Sequence, residues 1–306
     1  MSVSSIKSWF LLSRPVFHIV GVLPFLLGSI LAWYDMGTFR AEVFVLGSLG
    51  AVMIMLASYY AGEYWDVEED RISSDFHKNR FSGGSGIIVQ GLVNRRNVLV
   101  GAYGSLIIAG IIGIFLVTVF HTGPWTIPLG MIGMVGGFYY SSRPVRWVSS
   151  GLGEIWIAFC FGWLPISAGY YLQSGSFSPL ATWISLPVAL TIFNVILINE
   201  FPDYLADKTA GKQNLVVRLG LPSAAILYGG IAACSWTFLY LSPFAGTPPI
   251  FILFVFPFQV LSILLVALVL KGKWRDESYL ERLCAGSILV NIGISWSFIL
   301  SFLVST

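Results

Sequence analysis

The chain of 306 residues is 56% hydrophobic and only 10% charged, with a net charge of +2 and a mean hydropathy of +0.81. Soluble domains carry about a quarter charged residues, so this composition excludes a soluble globular protein and predicts an integral membrane protein. The near-neutral balance names no nucleic-acid partner, and no obligate protein partner is inferred beyond the lipid bilayer itself.

The opening residues, Met1 to Lys7, lack a small-residue cleavage site after a short apolar run, so no removable signal peptide is expected. A window of about twenty residues then gives nine spans. They run over Val16–Trp33, Val43–Gly62, Val98–Phe120, Trp125–Ser141, Leu152–Leu172, Leu180–Asn199, Ala224–Leu241, Ile250–Leu270 and Leu283–Val304. The fold class is therefore all-α, a polytopic bundle of nine transmembrane helices. The fourth span carries Gly130, Gly133, Gly136 and Gly137, which suits close helix–helix approach. Cys160, Cys234 and Cys284 all fall in apolar segments and read as small buried hydrophobes.

Of the 17 Lys and Arg, all but Arg40 fall in loops on one side of this arrangement. By the positive-inside rule that side and the N-terminus are cytoplasmic, and nine spans put the C-terminus outside. The two longest polar connections, Glu63–Asn97 and Glu200–Ser223, are both on the basic side and both begin with acids. They are four spans apart, which suggests two four-helix pseudo-repeats plus a ninth helix within a single domain covering residues 1–306.

The chemistry concentrates in those two connections. Glu63, Asp66 and Asp70 are spaced i, i+3, i+7 and share one face of a continuing helix. Acids at a helix C-terminus oppose the macrodipole, so the cluster calls for cations; Mg²⁺, which bridges carboxylates to substrate phosphates, suits it. Glu68 and Glu69 lie off this face and read as solvated. Asn199, Asp203 and Asp207 follow i, i+4, i+8, with Pro202 predicted to break the helix. Arg71, Lys78, Arg80, Arg143 and Lys212 are candidate diphosphate contacts, and each is also explained as a positive-inside anchor. Gly83-Gly84-Ser85-Gly86 is either an anion nest built from backbone N–H groups or a tight turn over the site. His18, near Arg14, is a packed polar residue or a contact for an acidic aromatic acceptor. Glu154 lies within a span and must be paired or wet; Arg143 and Arg146 are its predicted partners, with orientation of a substrate as the alternative.

These residues carry a resemblance. The chain is similar to the UbiA superfamily of intramembrane prenyltransferases, whose members bear an Asn-Asp-x-x-Asp-x-x-x-Asp type motif after the second helix and Asp-x-x-x-Asp after the sixth. Here the first reads Gly62-Glu63-Tyr-Trp-Asp66-Val-Glu-Glu-Asp70 and the second Asp203-Tyr-Leu-Ala-Asp207. Gly62 and Glu63 depart from the family's Asn and Asp. Arg14-Pro15, Gly83-Gly84-Ser85-Gly86, Gly151-Leu-Gly-Glu154 and Gly211-Lys212 with Leu215-Val-Val-Arg-Leu-Gly resemble the menaquinone branch. The resemblance implies nine helices around a central cavity, two Mg²⁺ ions held by Glu63, Asp66, Asp70, Asn199, Asp203 and Asp207, and transfer from a polyprenyl diphosphate to an aromatic acceptor. The first expected acceptor is 1,4-dihydroxy-2-naphthoate, with decarboxylation; 4-hydroxybenzoate and geranylgeranylglyceryl phosphate are alternatives. Tyr139, four residues before Arg143, resembles the family's Tyr-x-x-x-Lys pair and is the expected stabiliser of the allyl cation. Arg14, His18, Ser85 and Glu154 are the expected acceptor contacts. From another class, a transporter or binder of an anion or divalent cation uses the same acids; a transporter site belongs near mid-membrane, whereas these acids are at span ends.

Overall fold

The structure is a computed structural model that describes residues 3–73 and 83–306. It is helical throughout: α1 (Val3–Leu12), α2 (Pro15–Met36), α3 (Ala41–Trp65), α4 (Val67–Ser73), α5 (Arg95–Thr118), α6 (Thr126–Phe138), α7 (Gly153–Ala158), α8 (Leu164–Ser174), α9 (Pro179–Asn199), α10 (Tyr204–Thr209), α11 (Leu215–Leu219), α12 (Leu221–Leu241), α13 (Phe251–Leu270) and α14 (Glu277–Ser305). A π-helical turn, Phe159–Trp163, joins α7 to α8 in a single span.

Among the described residues eight helices are long and apolar enough to cross a membrane, and the ninth expected span is the shorter α6, of 13 residues. At 1.5 Å per residue α6 covers about 20 Å, short of a hydrocarbon core of about 30 Å. The apolar window over Trp125–Ser141 hid this, because it counted the aromatic residues of the turns at both ends as helix. The outward faces are apolar: Val100, Ile107, Ile111 and Ile114 on α5 and Leu253, Phe256 and Leu264 on α13 are exposed, as lipid contact requires. The protein is an integral, multi-pass membrane protein.

Two features of the packing position the site. First, α2 and α8 touch backbone to backbone: a Cβ at Gly28 would lie 2.0 Å from the Ile166 carbonyl oxygen, and one at Gly169 would lie 2.1 Å from that of Phe25. Ser29 Oγ, bonded to the Phe25 and Gly169 carbonyls at 3.0 and 3.3 Å, fixes this crossing. Second, α3 and α9 end at the same face of the bundle, where the short helices α4 and α10 pack against each other. The glycines of α6 divide. Gly133 and Gly137 pack against Ile54 and Ser58 of α3, as close helix approach requires, whereas Gly130 faces open space and Gly136 abuts the Trp156 ring.

Candidate active site

At the basic end of the bundle lies a polar cavity with about 1330 Å³ of empty space. Glu63 is in the last turn of α3, Asp66 caps that helix and Asp70 is on α4. Opposite them, Asn199 ends α9, Asp203 precedes α10 and Asp207 lies within it. All six line the cavity. The helix assumed to continue from Glu63 to Asp70 breaks at Asp66, yet the Asp66 and Asp70 amides still donate to the Gly62 and Asp66 carbonyls at 2.9 and 2.8 Å. Helical phase survives the break, so the three carboxylates keep a common wall. On the other side the chain leaves the helix around Pro202, as its missing N–H and its ring require.

The Gly83–Ser85 loop ties the two acidic groups together. Gly83 N donates to Asp203 Oδ2 at 2.8 Å, Gly84 N to Asp70 Oδ1 at 3.0 Å and Ser85 N to Glu63 Oε1 at 2.8 Å. Ser85 Oγ adds a bond to Glu63 Oε2 at 2.7 Å. Three successive amides thus form an anion nest whose present occupants are the site's own carboxylates.

Among the described residues three cations face these acids. Arg14 Nη2 donates to Glu63 at 2.9 Å and to the Gly83 carbonyl at 3.2 Å. Arg146 Nη2 donates to Asp66 at 3.0 Å and also to Glu69. Lys212 Nζ donates to Asp207 at 3.2 Å, and Asn214 Nδ2 donates to the other oxygen at 2.7 Å. Arg14 and Arg146 both have left-handed backbones, at φ 47° and 50°. Such conformations cost roughly 1–3 kcal/mol each and persist where surrounding structure over-determines them. Here ion pairs hold both guanidinium groups against the acids.

Among the described residues the carboxylates outnumber the cations that face them, and burial raises the proton affinity of several. Burial, reinforced by the Glu63 charge, pushes the Asp70 carboxyl up to about 7. Burial also raises Asp66, although Lys212, Ser141 and Arg146 pull it back. Glu200, which lines the cavity, is raised well above the usual carboxylate range by burial and then by Glu154. Burial works to lower the Lys212 ammonium, but Asp207, Asp66, Glu200 and Asp203 outweigh it and raise its pKa.

Several residues chosen by spacing are elsewhere. Tyr139 turns into the cluster around Tyr60 and Val98, edge-on to Phe138 at 5.5 Å, while Tyr140 lines the cavity. Arg143 is exposed, and Arg146 takes the acidic contacts. The reason is that α6 stops at Phe138, so the four-residue spacing that aligns Tyr139 with Arg143 on a helix does not apply. Arg71 points outward and pairs with Glu68 at 3.4 Å. Lys78 and Arg80 lie outside the described residues. His18 sits behind the cavity, edge-on to Tyr59 at 5.5 Å. Glu154 is fully buried and accepts the Leu215 N–H at 2.7 Å, in place of the arginine partners predicted for it. Glu69, expected to be solvated, lines the cavity and pairs with Arg146. Tyr59 and Glu200 are cavity residues that spacing alone did not single out, and Tyr140, the neighbouring-register rival of Tyr139, is the tyrosine that lines the cavity.

The donor set suits a hard divalent cation. Carboxylates predominate, and Asn199 Oδ1 and Glu200 Oε2 are buried acceptors without a partner among the described residues. No three His, Cys, Asp or Glu among those residues converge on a single ion position, so phosphate oxygens would have to complete the coordination.

The polar cavity opens into an apolar one of about 1040 Å³, and Ser58, Tyr140, Ile157 and Phe161 line both. Phe161 belongs to the π-helical turn, a local widening that recurs at functional sites.

Known proteins match this arrangement. The model of the UbiA prenyltransferase family matches residues 21–282. The 1,4-dihydroxy-2-naphthoate octaprenyltransferase of Bacillus subtilis is 23% identical over 95% of this chain and 89% of its own length. The 2-carboxy-1,4-naphthoquinone phytyltransferase of Synechocystis is 28% identical over 70% of this chain and 66% of its own. A solved UbiA homologue from Archaeoglobus fulgidus, bound to GPP and Mg²⁺, superposes with a TM-score of 0.63 at 18% identity, over 95% of this chain and 99% of that one. A digeranylgeranylglyceryl phosphate synthase superposes with a TM-score of 0.70 at 14% identity, over 97% and 98%. At such identities the superpositions establish the fold.

Proposed function

Because the chain belongs to the UbiA prenyltransferase family, we propose that this prenyltransferase joins a polyprenyl chain, taken from its diphosphate, to 1,4-dihydroxy-2-naphthoate with loss of the acceptor carboxylate. The observation that carries this reading is the junction of two unlike cavities. One is acidic and cationic, fit for a metal-bound diphosphate; the other is apolar, fit for an isoprenoid tail; and aromatic side chains stand between them. The naphthoate acceptor rests on the relatives that bear its name and on the menaquinone-branch segments of the sequence.

Glu63, Asp66 and Asp70 on one wall and Asn199, Asp203 and Asp207 on the other would hold two Mg²⁺ ions. When bound, Mg²⁺ supplies positive charge that offsets the diphosphate and stabilises it as a leaving group. Arg146 and Lys212 bind and orient the diphosphate. As the C–O bond breaks, its electron pair goes to the diphosphate oxygen, where these cations and the Gly83–Ser85 amides interact more strongly than in the ground state. Tyr140 and Phe161 flank the allylic carbon with ring faces that favour positive charge and exclude water. Tyr140 and Arg146 thereby take the roles that spacing assigns to Tyr139 and Arg143. Arg14, with Tyr59 and His18 behind it and Ser85 beside it, contacts the acceptor carboxylate and hydroxyls. Glu154 acts from behind the wall by fixing the start of α11 through Leu215. The site opens to the cytoplasm, where diphosphate and Mg²⁺ are available, and the whole chain works as one unit.

A transporter reading is weaker, because the acids are at helix ends on the basic face and not on broken helices near mid-span. The test offers the purified protein Mg²⁺, geranylgeranyl diphosphate and a mixture of 1,4-dihydroxy-2-naphthoate, 4-hydroxybenzoate and geranylgeranylglyceryl phosphate, with Asp66→Ala beside it. A prenylated, decarboxylated naphthoquinol, seen by mass spectrometry and lost in Asp66→Ala, is the expected product. Product on another acceptor alone would overturn the naphthoate assignment; binding of diphosphate with no product at all would return the weight to a binding or transport role.

A further inference from the structure

The apolar cavity is a bore with a defined end. It follows α3 from Ser58, at the junction with the polar cavity, to Gly47. Eleven residues of helix at 1.5 Å each make this about 16 Å. Small residues keep it open: Gly21 on α2, Gly47, Gly50 and Ala51 on α3, and Gly133 and Gly137 on α6 all line it.

At the far end the bore meets large side chains. Phe25 Cζ and Leu172 Cδ2 lie 2.5 and 3.1 Å from where a Cβ on Gly47 would stand, so both side chains close over that glycine. Both are buried, and with Leu116, Leu129 and Leu164 they belong to one packed apolar cluster. Thr126, which lines the bore at this end, shares a buried hydrogen bond of 2.7 Å with Thr122, and the Tyr171 hydroxyl accepts the Trp125 N–H at 3.2 Å. Side chains thus crowd that end of the bore.

We propose that the Phe25–Leu172 contact over Gly47 is a length gauge that sets the prenyl donor at about four isoprene units, a C20 chain. An isoprene unit advances four bonds, about 5 Å of extended chain at ~1.5 Å per bond. With the reacting unit held at Ser58 and Tyr140, the bore takes three more units before the chain meets Phe25. A donor of eight units leaves four with no room along the bore. Glycines and alanines share its walls with Ile54, Ile112, Leu116 and Leu164, and the gauge acts through the depth of the bore. This inference rests on the prenyl-diphosphate reading of the polar cavity and adds to it a donor length shorter than that named for the octaprenyl relatives.

The test measures kcat/KM of the full-length protein in lipid nanodiscs for C10, C15, C20 and C40 prenyl diphosphates, with one acceptor and Mg²⁺. The wild-type protein is expected to improve up to C20 and to fall at least tenfold at C40. Phe25→Ala and Leu172→Ala should each raise the C40-to-C20 ratio at least tenfold. Gly50→Leu tests the bore independently of the plug. Residue 50 is eight residues from Ser58 and its Cβ would meet only Ile112 Cγ2, at 3.4 Å, so a leucine there fits the fold and shortens the bore. It should move the optimum down to C10 or C15. Equal use of C20 and C40 by the wild type, or an unchanged optimum in Gly50→Leu, overturns the gauge while leaving the prenyltransferase reading intact. Absence of turnover with every donor length overturns both.

Discussion

Asp70 lies so close over Gly84 that a Cβ added at residue 84 would stand 1.8 Å from its Oδ2. The same carboxylate accepts the Gly84 N–H at 3.0 Å. A side chain at residue 84 would therefore have to push the Asp70 carboxylate aside, and the first acidic cluster is set by a loop from beyond its own helix. Gly84→Ala should displace Asp70 and weaken the metal response by about 10- to 100-fold, the range for residues that orient ligands. Gly104→Ala, on α5 with open space around it, is the matched control and should be neutral. Mg²⁺ titrations of the prenyl-transfer rate compare the two; equal apparent Mg²⁺ affinity in both variants would sink the idea.

Arg146 and Arg143 separate geometry from spacing. Arg146 holds Asp66 and Glu69, whereas Arg143 is exposed. Removing the cation from a largely buried cluster leaves acids uncompensated, at a cost of about 3 kcal/mol in stability and a larger loss in diphosphate binding. Arg146→Gln should lower both thermal stability and kcat/KM for the donor, and Arg143→Gln should leave both near wild type. Tyr140→Leu against Tyr139→Leu makes the parallel test at the allylic carbon. Should Arg143→Gln and Tyr139→Leu prove the damaging pair, the site geometry described above is wrong.

Much of this site was legible in the chain. Both acidic clusters, the break at Pro202, the Arg14 region and the glycine loop all reach the polar cavity, because each rests on local chemistry that a helix end imposes. Three of the failures share one cause. Tyr139, Arg143 and the full-length fourth span were read with helical periodicity across Phe138, where the helix stops, and hydropathy does not mark that stop. Glu154 paired with a backbone amide of a distant turn, a contact with no sequence spacing at all. Glu69 was misjudged because its partner, Arg146, comes from a loop far along the chain.

The Asp70 carboxyl, pushed up to about 7 from an ordinary value near 3.8, gives the site a pH signature. The folded protein holds a proton there that the unfolded chain releases, so this group's contribution to stability is present below the unfolded pKa and is lost as pH rises towards 7. Metal binding has the opposite sign. A ligating carboxylate must be deprotonated, so Mg²⁺ affinity should rise with pH and level off above about 7. Between pH 7 and pH 6 the apparent Mg²⁺ constant should weaken by up to about tenfold. Mg²⁺ titrations of the transfer rate at pH 6, 7 and 8 read this directly, and a flat response across that range would remove Asp70 from the ligand set.

Metal and diphosphate should bind as a pair. Among the described residues no three acids converge on one ion position, and the Gly83–Ser85 amides are taken by Asp203, Asp70 and Glu63. Mg²⁺ alone lacks oxygens to complete its shell, and diphosphate alone meets carboxylates whose charge repels it. Each ligand removes the obstacle to the other: Mg²⁺ neutralises the acids and draws them off the amides, and the freed amides and phosphate oxygens complete both sites. Mg²⁺ alone and inorganic pyrophosphate alone should each shift the melting temperature little. Together, near a hundredfold excess over the joint dissociation constant, they should stabilise by about 2.7 kcal/mol, a shift of roughly 4 °C for a chain of this size. Thermal unfolding of the purified protein with each ligand singly and with both decides this without any acceptor. A full shift from Mg²⁺ alone would mean that the carboxylates form a ready-made cage, and the donor's phosphates would then be binding to a site already complete.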